Sequence, residues 1–298
     1  MMYEEFYDLD KNAFSLLPDP SFLFLSRQHL MALTLLKYSL MSKHAFTVIT
    51  GEVGAGKTTL LNGLLDEIRD QSYTIGMINF TDARIAHLWP WILRAFDIPY
   101  ANKSGIMMYE DFFEFVTEQK RAGKTTVLIV DEAQNLAPKA LESLRMLSNV
   151  NTQETLLQLI LVGQPEFRDV LKRPEFRQLN QRVTVFYRLD ALNQTETRDY
   201  IRHRLSVAGC TRPLFQPEAV ELIWKASGGV ARSINTLCDL ALVYGFSNRK
   251  ESIDAEVVHE MLADRRDLAV QSDVAPTDKR LKGQSTTQLQ VVSEYSNS

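Results

Sequence analysis

The run Gly51-Glu52-Val53-Gly54-Ala55-Gly56-Lys57-Thr58 constrains this chain more than any other stretch. An apolar run, Ala45–Thr50 (AFTVIT), precedes it and an amphipathic one, Lys57–Asp70, follows it. A glycine-rich loop therefore joins a buried strand to a helix. Glycines let the backbone curl until successive N–H groups converge, and the helix N-terminus adds its dipole. Phosphate is the ligand such a cradle suits. Lys57 is placed to reach the β- and γ-phosphates as a point charge, Thr58 to ligate Mg²⁺ through its hydroxyl, and Thr59 to add a phosphate contact.

A second segment supplies what the first lacks. Val127-Leu128-Ile129-Val130 reads as a buried strand from whose C-terminal end Asp131 and Glu132 emerge, where ligands lie in α/β sheets. Asp131 is expected to hold magnesium through its water shell, and Glu132 to orient the attacking water as a general base. Gln164, ending Leu159–Gln164, is expected beside these acids and within reach of the γ-phosphate or the water. Arg232, just inside a helix that follows Gly228–Gly229, is expected to reach back to the phosphates. Of five arginines between Arg168 and Arg188, Arg177 and Arg182 are the best candidates to act on a neighbouring subunit's nucleotide as an arginine finger.

Strands predicted at Ala45–Thr50, Thr74–Phe80, Thr126–Val130, Thr155–Val162 and Val183–Tyr187 alternate with helices. This order predicts an α/β fold, a parallel five-stranded sheet covered by helices on both faces. After about Asp190 only helical spacing remains, in Asn193–Ala208, Gln216–Ser227, Ala231–Tyr244 and Asp254–Asp264, which predicts a small all-helical lid. The expected division is an aromatic-rich arm packed on the core (1–25), a nucleotide-binding domain (26–190), the lid (191–266) and a disordered polar tail (267–298). Ser26–Met41 reads as a helix with Ser26 as N-cap and Leu30, Leu33, Leu36 and Leu40 on one face.

Composition excludes more than it identifies. With a net charge of -4 there is no global basic field to attract nucleic acid or an anionic membrane. Cys210 and Cys238 lack metal-binding or disulfide spacing and fit a reduced, cytoplasmic protein. The acidic start, MMYEEFYDLD, is unlike a signal peptide, and no apolar run approaches the roughly 18 residues that span a bilayer.

On these residues the chain resembles the AAA+ ATPases, with Walker A at 51–58, Walker B at 127–132, sensor 1 at Gln164 and sensor 2 at Arg232. Within them it is similar to the ATPase domain of the general secretion pathway protein A family and its relatives near polysaccharide-export and exosortase gene sets. The carriers are Tyr3-Glu4-Glu5-Phe6-Tyr7, Phe14 and Pro18-Asp19-Pro20, the stretch Val48–Thr59, Asp131-Glu132-Ala133-Gln134-Asn135-Leu136, and Val162-Gly163-Gln164-Pro165-Glu166-Phe167. The resemblance covers residues 1–265 and implies ATP as nucleotide, a homo-oligomer that is often a ring, and assembly of a secretion or export apparatus at the inner membrane. Secretion members continue into a transmembrane helix and a peptidoglycan-binding domain, whereas this chain stops after a polar tail. Attachment through a membrane-associated partner is therefore the expectation. The alternative reading is a DNA-transposition regulator, whose ATPases share this core and form nucleotide-dependent oligomers on DNA; the acidic charge disfavours it. A third is a slowly hydrolysing switch, which Glu132 argues against.

Overall fold

Strands of six or seven residues that are apolar on both sides can be buried only inside a sheet covered on two faces. In the computed structural model, which describes residues 2–17, 19–68, 72–79, 87–151 and 154–272, that is the architecture. Strands β1 (Phe46–Gly51), β2 (Tyr73–Asn79), β3 (Thr125–Asp131), β4 (Leu157–Gly163) and β5 (Val183–Leu189) form a parallel sheet in the order β2-β3-β4-β1-β5. The two-residue period divides each strand between two cores. Val127 and Ile129 meet one face, and Leu128 and Val130 the other.

Helices α1 (Arg27–Met41) and α2 (Lys57–Ile68) cover the first face through Leu33, Leu36, Leu40, Leu60, Leu61 and Leu64. Ser26 caps α1 as expected, its Oγ accepting the His29 N–H, but Leu30 is half exposed and leaves the expected apolar face. Helices α3 (Trp89–Ala95), α4 (Gly105–Arg121), α5 (Pro138–Leu147), α6 (Glu166–Leu171) and α7 (Arg177–Asn180) lie on the other side. Phe80, the expected end of the second strand, and Pro18 lie outside the described residues. Helix α4 starts at Gly105 because Ser104 accepts the Met107 N–H as N-cap.

The helical unit comprises α8 (Gln194–Val207), α9 (Pro217–Ser227), α10 (Ala231–Ser247) and α11 (Ala255–Ser272). A reciprocal capping box between Asn193 and Glu196 starts α8, and Gly228, at φ 61°, ends α9 in the left-handed conformation that glycine adopts cheaply. Helix α11 runs past residue 266, where a disordered tail was expected; residues 273–298 lie outside the described set.

The arm packs on the helical unit: Tyr3, Tyr7, Leu9, Ala13, Phe14 and Phe22 are buried in one cluster with residues of α8 to α11. Polar contacts reinforce the seat. The Tyr3 hydroxyl donates to Asp239, Tyr7 donates to the Lys250 carbonyl (3.1 Å), and Arg204 donates to the Ala13 and Ser15 carbonyls (2.6 and 3.0 Å). The Arg204 guanidinium also lies 4.2 Å from the centre of the Phe22 ring. Four helices alone enclose little volume, and these aromatic side chains complete the core. Phe14→Ala is therefore expected to cost about 3–5 kcal/mol of stability in urea unfolding. A loss under about 1 kcal/mol would show the arm to be an optional cover.

Candidate nucleotide site

Strand β1 ends at Gly51, and the loop re-enters helix at Lys57. Two glycines within it are obligatory. Gly54 (φ 81°) and Gly56 (φ 92°) have left-handed backbones, and a Cβ there would lie 2.7 Å from Arg232 Cβ or from His29 Nε2 respectively. The loop closes around Lys57, whose Nζ donates to the carbonyls of Gly51 (2.7 Å) and Glu52 (3.0 Å). Burial pushes the Lys57 pKa down, while Glu132 and Asp131 pull it back up.

Because β4 lies between β1 and β3, the loop strand and the acid strand are about 10 Å apart. The first turn of α2 spans the gap: Thr58 Oγ1 donates to Asp131 Oδ2 at 3.3 Å. Asp131 is almost fully buried, and its other oxygen accepts the Glu132 N–H at 2.9 Å. Burial raises its pKa, partly offset by that N–H and by Thr58. Glu132 takes a left-handed backbone (φ 54°), an uncommon conformation for a side-chain-bearing residue, and lines the cleft. Its carboxylate accepts from Gln134 Nε2, while Gln134 Oε1 accepts the Gln164 N–H at 2.9 Å. Gln134 thus connects Glu132 to the end of β4. A Cβ on Gly163 would approach that Oε1 to 3.1 Å.

These groups face a cleft of about 380 Å³ between the arm (Ser15 to Phe24), the loop from Val53 to Thr59, and Tyr200, Arg204, Arg232 and Asn235 of the helical unit. Of the residues expected from sequence, Val53, Gly54, Ala55, Gly56, Lys57, Thr58, Thr59, Glu132 and Arg232 line it directly. Gly51 and Glu52 join through Lys57, Asp131 through Thr58, and Gln164 through Gln134. Arg177 and Arg182 do not line it. Arg177 is exposed, whereas Arg182 caps the end of α5, donating to the Arg145 carbonyl (3.3 Å), Ser148 Oγ and Asn149 Oδ1 (2.9 Å). Gln134 and His29 were not singled out from sequence. Their signals were a polar side chain two residues beyond Glu132 and a histidine three residues beyond the N-cap Ser26.

A family described as an AAA domain matches residues 40–171. Over those residues the chain carries an AAA domain. It is 39% identical over 254 residues to general secretion pathway protein A of Aeromonas hydrophila, across 85% of this chain and 46% of that protein. The chain thus spans about half the length of that relative. Among solved structures it resembles Drosophila ORC bound to DNA (TM-score 0.67, 15% identity, 89% of this chain and 67% of that one). It also resembles Cdc6p from Pyrobaculum aerophilum (TM-score 0.63, 18% identity, 83% and 71%) and the Aeropyrum pernix ORC2 protein in ADPNP–ADP complexes (0.62, 18%, 86% and 72%). At these identities the likeness is one of fold: the parallel sheet of an AAA+ domain followed by helices. Among the described residues no helix of this AAA+ chain is long and apolar enough to cross a membrane.

The raised pKa of Asp131 fixes a sign. The folded carboxyl holds its proton to higher pH than the unfolded one, so folding loses stability as pH rises through the interval from its ordinary value to its raised one. Asp131→Asn is therefore expected to raise the nucleotide-free melting temperature at pH 7. The gain should shrink as pH falls and the wild-type carboxyl protonates. A lowered melting temperature at pH 7 would contradict this account.

Proposed function

We propose that this AAA+ domain binds ATP with magnesium in the cleft, hydrolyses it, and uses the cycle to assemble or remodel a membrane-associated secretion or export system. The observation that carries the reading is the convergence of Lys57, the Thr58–Asp131 pair and Glu132 on one cleft that Arg232 reaches from the helical unit. Nucleotide binding follows from the loop itself; ATP as the nucleotide and the secretion role are supported by the likeness to general secretion pathway protein A.

Thr58 and Asp131 fit magnesium. They are two hard oxygen donors already within hydrogen-bond distance, and this ion uses few protein ligands beside phosphate and water. When bound, it supplies charge neutralisation on the β- and γ-phosphates. Loop amides and Lys57 hold the phosphates, and Arg232 adds positive charge from the helical unit. Glu132 accepts the proton of a water that attacks the γ-phosphorus, with ADP as leaving group. Gln134 donates to one Glu132 oxygen and leaves the other for that water.

Lys57→Ala is expected to abolish detectable binding of a fluorescent ATP analogue. Glu132→Gln should bind it normally yet turn over about 10²–10⁴-fold more slowly. Normal turnover by Glu132→Gln would remove that residue from the base role.

We further infer that the working form is a homo-oligomer, with Arg177 as the residue offered to a neighbour's nucleotide, because Arg182 is engaged at the end of α5. Arg177→Ala mixed with Lys57→Ala should regain activity, since each chain supplies what the other lacks. Arg182→Ala should instead lower the melting temperature. Recovery with Arg182→Ala alone would reverse the assignment.

A further inference from the structure

One buried titratable side chain beside the phosphate loop has no part in this chemistry. His29 lies in the first turn of α1 and is 7% exposed. Its Nε2 is 3.0 Å from the Ala55 carbonyl oxygen, and its Nδ1 is 2.8 Å from Ser26 Oγ. A carbonyl only accepts, so Nε2 carries the ring proton; Nδ1 is then bare and takes the Ser26 hydroxyl proton. Ser26 Oγ meanwhile accepts the His29 N–H. One neutral tautomer satisfies all these groups, and burial favours it by lowering the ring's pKa.

The bond has a consequence for the loop. The Ala55 carbonyl and the Gly56 N–H belong to one planar trans peptide and point in opposite directions. Holding the carbonyl against α1 therefore turns the Gly56 N–H away from it. The same ring fills the space beside Gly56 that a Cβ would need, and it forms part of the cleft wall. Beside it in the same turn, Gln28 accepts the Asp190 N–H (2.8 Å) just beyond β5. One turn of α1 thus touches both the phosphate loop and the start of the connection to the helical unit.

We propose that His29 is a positioning residue of the phosphate loop. Its Nε2–H holds the Ala55–Gly56 peptide in the orientation in which the loop amides receive the phosphates of a nucleotide. Nucleotide affinity is thereby tied to the seating of α1 and of the arm that leads into it. His29 acts on the loop backbone and touches no reacting atom. This inference rests on the nucleotide reading above.

The test uses the full chain, a fluorescent ATP analogue with magnesium, and parallel turnover assays. His29→Ala is expected to bind about 3- to 10-fold more weakly, the loss of one buried hydrogen bond, with KM raised and kcat changed by less than about twofold. His29→Gln, whose amide N–H can occupy the Nε2 position, should recover most of the affinity. His29→Leu, which fills the space without donating, should not. Nitrogen shifts of the wild-type ring, read without nucleotide, should show Nε2 protonated and Nδ1 bare. If the Ala variant fails to fold, the Gln and Leu pair and the ring shifts carry the test. A Leu variant equal to Gln in affinity, an Ala variant equal to wild type, or a ring protonated at Nδ1 would each overturn the proposal. Wild-type protein that fails to bind the analogue while showing the expected tautomer would instead sink the nucleotide reading, and this one with it.

Discussion

A loop that turns its amides toward one point must leave a strand that cannot move, and here that strand is β1. It is paired on both sides, by β4 and β5, and every residue in it is buried. The curl beyond it depends on two left-handed glycines pressed against neighbours, Gly54 against the start of α10 and Gly56 against His29. The rest of the site follows from this seat. Thr58 is carried to Asp131 because α2 starts where the loop ends, and Glu132 follows Asp131 into the cleft.

The electrostatics are those of a site built for another charge. Lys57 and Asp131 are both nearly buried, and burial disfavours the ionised form of each. Lys57 donates to two loop carbonyls, and among the described residues Asp131 accepts from one hydroxyl and one amide. Such an arrangement costs stability in the free protein and gains it when phosphate and a cation bring compensating charge. The helical unit shares in that closure, since Gly54 already meets Arg232 across the cleft.

Much of this was legible in the sequence. The five strands were readable because continuous apolar runs between helices have few other solutions, and the loop was readable because its spacing states its geometry. Strand ends shifted by one or two residues, as hydrogen-bond pairing rather than hydrophobicity decides them. The seat of the arm was not legible. Its aromatic residues announce burial, but Phe14 meets Phe215 and Tyr3 meets Asp239 across some two hundred residues of chain, and no local pattern encodes that choice. The same holds for Gln134 and His29. Each is an ordinary polar residue until the fold brings Gln164 or Ala55 to it. Arg182 shows the converse, a residue of promising type and position whose guanidinium is engaged locally.

The central claim is that the arm, the phosphate loop and the helical unit close around one nucleotide. Hydrogen exchange of the Glu132→Gln protein, with and without ATP and magnesium, tests it most directly. The account expects nucleotide-dependent protection in three separate segments: residues 51–59, the arm over 15–24, and the start of α10 over 230–235. Protection confined to residues 51–59, with the arm and α10 exchanging as in the free protein, would contradict it.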